Sequence, residues 1–141
     1  MNTKSKVIFT SIICVILLII ITTSLITLFM PKRLVDLIDL DQIDKAYAVR
    51  KTISISKEGK VNSKVIPIVR IREFKNFIST AIYKNRYNNV ENTDKMYIKI
   101  IYKNGDEIIM DTFSYLKKDK DGTILKQKKI KCDINYKEFY E

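Results

Sequence analysis

Residues 96–116 read MYIKIIYKNGDEIIMDTFSYL, two runs rich in β-branched and aromatic residues on either side of Asn104–Gly105. Asn-Gly is the dipeptide best suited to a type I′ turn, where both central residues take positive φ, so the stretch predicts a β-hairpin. A two-residue loop sets Tyr102 opposite Glu107, Ile100 opposite Ile109 and Ile98 opposite Asp111. Lys99, Ile101, Ile108 and Met110 then share the other face. Neither face is wholly apolar, so a three-residue bulged loop, which shifts the register, is the alternative.

Working outward, KKDKDG (Lys117–Gly122) has the chemistry of a second turn, and TILKQKKIKCD (Thr123–Asp133) reads as a further strand. Its alternation puts Ile124, Ile130 and Cys132 on one face together with Lys126 and Lys128. The tail INYKEFYE predicts a terminal helical turn carrying Tyr136, Phe139 and Tyr140. Upstream, Arg70–Asn85 places Ile71, Phe74, Phe77, Ile78, Ala81 and Ile82 on one helical stripe, with Arg72, Lys75, Asn76 and Ser79 off it. RYNNVENTDK then reads as a polar loop. Before the helix, Val49, Ile53 and Ile55 alternate with polar residues. KEGKVNS supplies a turn, and VIPIV a second strand that Pro67 shortens or confines to an edge. The order is strand–strand–helix–strand–strand–strand, an α+β fold: a small antiparallel sheet with one packed amphipathic helix.

The N-terminus follows different rules. Behind a short tail, residues 1–6, Val7–Met30 runs 24 residues without a charge. As a helix it is about 36 Å long, against a hydrocarbon core of about 30 Å. A secretory signal has a shorter apolar region and a small-residue cleavage site, and neither feature fits ITTSLITLFM. Cys14 follows Ile13 in mid-run, so it is not a lipidated cysteine. The segment reads as an uncleaved transmembrane anchor whose hydroxyl side chains bond back to their own helix. Pro31 ends it, with Lys32 and Arg33 at headgroup level. Lys4 and Lys6 nearly balance Lys32 and Arg33, and long domains cross largely regardless of charge, so the N-terminus is expected inside and residues 31–141 outside.

Leu34–Tyr47 (LVDLIDLDQIDKAY) reads as a juxtamembrane helix or stalk over residues 31–47, leaving 48–141 as the α+β domain. Asp36, Asp39, Asp41 and Asp44 lack the glycine and distal glutamate of a calcium loop and form a solvated acidic face. After Met30, 24 of the 26 cations remain once Lys4 and Lys6 are removed, against 16 acids, a net charge of +8. A basic exterior suits anionic neighbours. The excess of Lys over Arg, with scarce Gly, Pro and Trp, also matches the bias of a very AT-rich genome. Cys14 and Cys132 cannot pair with each other, and Cys132 reads as a small buried apolar residue.

The chain has no histidine, which removes Ser-His-Asp and Cys-His sites and the common zinc sets. Three glycines, Gly59, Gly105 and Gly122, cannot write a P-loop or dinucleotide fingerprint. Asp106 and Glu107 flank a turn and are read as solubilising charges. No enzyme activity, cofactor or metal is expected. The most concentrated charge is KKDKDGTILKQKKIK, where Lys117, Lys118, Lys120, Lys126, Lys128, Lys129 and Lys131 form a candidate anion-binding surface. Its plain reading is a lysine-protected sheet edge. Tyrosines are not interleaved with these lysines, which argues against nucleic acid.

Through IDKAYAVRKTISIS, REFKNFISTAI and YIKIIYKNGDEIIM, the layout of residues 43–132 resembles small anchored extracytoplasmic proteins of low-GC Gram-positive bacteria, the clostridia and bacilli. The resemblance implies location and fold. Two functions are expected from the residues. One is an anchored outer domain that binds an envelope protein in an accessory, immunity or exclusion role. The other is electrostatic binding of anionic wall polymer or lipid headgroups through the lysine-rich hairpin.

Overall fold

Helix α1 (Thr3–Phe29) takes up the apolar segment, and none of its residues is buried. A computed structural model of the chain describes residues 2–53, 61–88 and 96–139 and divides into two units, Met1–Met30 and Pro31–Glu141. The helix is long and apolar enough to cross a membrane. Four of its five threonines are satisfied within it: Thr10, Thr22, Thr23 and Thr27 donate to the carbonyls of Lys6, Leu18, Ile19 and Ser24 at 2.6–2.9 Å. That back-bonding removes the cost of a bare hydroxyl in lipid.

The second unit is an α+β fold, as its hydrophobic periodicities predict. Its strands are β1 (Lys32–Arg33), β2 (Ile43–Ile53), β3 (Val61–Pro67), β4 (Ile82–Asn85), β5 (Met96–Tyr102), β6 (Glu107–Met110), β7 (Ser114–Lys118) and β8 (Ile124–Lys131). They form one antiparallel sheet in the order β1-β4-β8-β7-β6-β5-β2-β3. Strand β3, which carries Pro67, is an edge.

The central hairpin takes the bulged register, with Ile98 opposite Met110, Ile100 opposite Ile108 and Ile101 opposite Glu107. The Gly105 N–H donates to the Tyr102 carbonyl and Gly105 sits at φ +91°, where an L side chain is strained. The one-residue shift collects Ile98, Ile100, Tyr102, Ile108 and Met110 on a single buried face. The other register would have turned Glu107 and Asp111 toward them.

Three segments differ from the sequence expectation. Residues 31–47, expected as a helix or stalk, form β1, two 3-10 turns (Leu34–Asp36 and Leu40–Gln42) and the start of β2 at Ile43. Leu34, Leu37 and Ile38 are buried in the core, while Asp36, Asp39, Asp41 and Asp44 are exposed. The predicted helix ends early: α2 (Ile71–Thr80) is followed at once by β4, and Ile82 is exposed. The cause is pairing, since Tyr83 and Ile82 meet β1 and the Ala81 carbonyl accepts from Leu34 N–H. The run after Gly105 is two strands, because Asp111 Oδ1 accepts from the N–H groups of Phe113 and Ser114 and turns the chain.

Helix α2 buries Phe74 and Ile78, with Ile71, Phe77 and Ala81 partly buried, and Phe139 packs edge-on against Phe74 and Phe77. Phe139 closes a 3-10 turn, Tyr136–Phe139, at the expected terminal turn. The 57–63 turn, the 86–95 loop and Tyr140 lie partly or wholly outside the described residues.

Candidate anion-binding surface

Residues opposite one another in an antiparallel sheet share a face. Read across the strands, one row runs Ala48, Ile98, Met110, Tyr115, Lys128 and the next runs Ala46, Ile100, Ile108, Lys117, Lys126. Each row is buried and apolar until it reaches lysine. The sheet therefore brings Lys117, Lys126 and Lys128 to the face that holds the core. Lys118 pairs with Glu107 on the other face, where alternation also places Lys129 and Lys131, and Lys120 is exposed in the turn before Gly122. The seven lysines are thus not one surface.

Two of the three core-face lysines rest on tyrosine rings. Lys117 Nζ lies 5.2 Å from the Tyr102 ring and 3.7 Å from Asp106 Oδ2. Lys128 Nζ lies 6.0 Å from the ring of Tyr83, which is buried. Burial, then the charges of Lys126 and Lys32, hold the Lys128 ammonium below the ordinary lysine pKa. Lys32 belongs to this group because β1 sets it opposite Tyr83. Sequence reading placed Lys32 only as a headgroup anchor, and no local signal ties it to β8.

The carboxylates at the two hairpin turns are engaged by neighbouring groups. Asp106 faces Lys117, and Glu107 Oε1 lies 2.9 Å from Lys99 Nζ. The Asp119 carboxylate shapes the β7–β8 turn, accepting from Thr123 and Asp121 N–H groups at 2.8 and 2.9 Å, which holds its pKa below the usual range. An open cleft of about 420 Å³ beside β4 is lined by Phe77, Thr80, Ile82, Tyr83, Lys131 and Asp133, among others.

Cys132 is buried at 1% exposure, and its Sγ–H donates to the Ile82 carbonyl at 3.3 Å. Burial, with Asp133 nearby, pushes its thiol up to about 11 from 9.0. Native Cys132 will react with maleimide about 100-fold more slowly than an exposed thiol, because the thiolate is the nucleophile. Timed labelling with and without denaturant checks this. Burial likewise raises Tyr83, Tyr102 and Tyr115, and the Tyr115 hydroxyl donates to Leu37 O at 2.8 Å. Acids with raised folded pKa values favour the fold below their unfolded values and lose that contribution as pH rises. The melting temperature will therefore fall as pH climbs past about 9, where unfolded Cys132 ionises first. Tyr115→Phe will flatten the decline, which melts across pH 7–10.5 will show.

Comparison of the chain with protein-family models, curated proteins and solved structures found no match.

Proposed function

We propose that the chain is a single-pass, membrane-anchored envelope protein whose domain stands outside the membrane and binds another protein, without catalysis of its own. In layout it is the kind of small anchored protein found in low-GC Gram-positive bacteria. The observation that carries the reading is the sheet's second face. There Pro67, Tyr47, Lys99, Ile109, Leu116 and Gln127 stand side by side across the strands. Tyr47, Ile109 and Leu116 are only half-buried, whereas α2, the 3-10 turns and Phe139 pack on the core face. A row of large apolar groups around a Lys99–Glu107 ion pair has the mixed character of a protein interface. The absence of histidine and the pairing of Asp106 and Glu107 support a non-catalytic role.

A photo-crosslinking residue at Ile109 or Leu116 should give one discrete adduct in intact cells that persists at high salt. The same residue at Arg72, exposed on α2, should not. Equal or no capture at the three positions contradicts the reading. A second reading, electrostatic binding, is favoured by the grouping of Lys117, Lys126 and Lys128 on one face. Salt separates the two, because exposed charges are screened and a buried apolar contact is not.

A further inference from the structure

Lys32 and Lys128 both lie beside Tyr83, one across the β1–β4 pair and the other from β8, and Lys126 stands two residues before Lys128 on the same face. Strand β4 receives β1 on one side and β8 on the other, so the residues just after α1 join the end of the lysine-rich hairpin. Among the described residues no carboxylate pairs with Lys32, Lys126 or Lys128. Like charges held close by a fold repel, and an anion bound among them relieves that repulsion. The Tyr83 ring beside Lys128 gives the cluster a fixed floor.

Covalent geometry says where the anion comes from. Pro31 alone separates Met30, the C-cap of α1, from Lys32. Two peptide units span at most about 7.6 Å, so Lys32 stays within headgroup depth of the end of a membrane-spanning helix. A soluble polymer would have to find the cluster; on the anchored reading headgroups already lie beside Lys32.

We propose that Lys32, Lys126 and Lys128 form a binding site for the phosphate of anionic lipid headgroups, tying the β1–β4–β8 end of the sheet to the bilayer surface. The proposal rests on the anchored reading. It departs from the hairpin surface in two ways: it recruits Lys32, and it leaves out Lys118, Lys120, Lys129 and Lys131 as well as Lys117, which faces Asp106. Either orientation of the protein supplies headgroups, so it does not depend on which side the domain occupies.

The test is lysine acylation of the full-length protein in nanodiscs, read residue by residue by mass spectrometry. Discs of phosphatidylcholine are compared with discs containing about one-third phosphatidylglycerol. Lys32, Lys126 and Lys128 should be modified at least about threefold more slowly in the anionic discs. Lys103 and Lys120 should be unchanged, and about 0.5 M salt, with a Debye length of about 4 Å, should remove the difference. In the Lys126→Gln/Lys128→Gln protein, checked for folding by circular dichroism, protection at Lys32 should fall by more than half. Equal rates in the two discs overturn the proposal. So does full protection of Lys32 in the double variant, which would mean proximity alone. Soluble poly(glycerol phosphate) that protects the three lysines equally well in neutral discs overturns the lipid as ligand. If the variant does not fold, the two-disc comparison decides. Failure of the protein to enter discs would instead contradict the anchored reading, and incorporation is measured on the same samples.

Discussion

Arginine at both Leu17 and Ile20 will release the protein from the membrane. These residues lie in the middle of α1, more than half of each is exposed, and no part of the helix is buried by protein. An arginine at the centre of a span costs about 2.5–3.5 kcal/mol on insertion scales, so the pair costs about 5–7 kcal/mol and also forfeits two favourable aliphatic side chains. Carbonate extraction of membranes will find the parent protein in the pellet at its full 16.5 kDa and most of the double variant in the supernatant or degraded. A parent protein shortened by about 3 kDa or more would instead mark α1 as a cleaved signal. Leu17→Ala with Ile20→Ala should remain in the pellet.

Leu34→Ala will destabilise the domain by about 2–5 kcal/mol, the range for emptying a filled leucine site. Leu34 has 0% exposure and its N–H donates to the Ala81 carbonyl at 2.9 Å, so it joins the segment after α1 to both α2 and the sheet. A domain of this size has about 5–15 kcal/mol in all, so the loss is a large fraction of the total. Val69→Ala, at a position 82% exposed, is the control and should stay within about 0.5 kcal/mol. Urea unfolding of full-length protein in detergent micelles, followed by tyrosine fluorescence, measures both. Equal small effects would mean that residues 31–47 are a stalk after all.

The hairpin around Gly105 was legible because its signals are local: alternation, β-branched residues and a turn dipeptide lie within twenty positions. Its register was open between two loops, and the choice follows from which one gives both Ile98 and Ile100 apolar partners, Met110 and Ile108. The buried Cys132, the edge position of β3 and the apolar stripe of α2 were legible for similar reasons. Residues 31–47 were not, because Leu34 and Ile38 are spaced as on a helix and nothing local says that the turns are 3-10. Strand β4 was hidden for a related reason. Ile82 continues the i, i+4 pattern of Ile78, with no Gly or Pro to mark the end of α2, and only pairing with β1 and β8 makes it a strand. The lysines fared worst as a group. Their density was visible, but their division between two faces depends on register, and the addition of Lys32 depends on a contact between the two ends of the domain.

The central claim is that an anchored domain stands outside the cell, and cysteine accessibility tests it most directly. Asp121 is exposed in the turn between β7 and β8, so Asp121→Cys offers a reporter. Cys14→Ala removes the thiol within α1, and burial makes Cys132 slow to react. A membrane-impermeant maleimide applied to intact cells should label the full-length protein in the membrane fraction as completely as it does after lysis. Labelling only after lysis would place the domain inside and contradict the account.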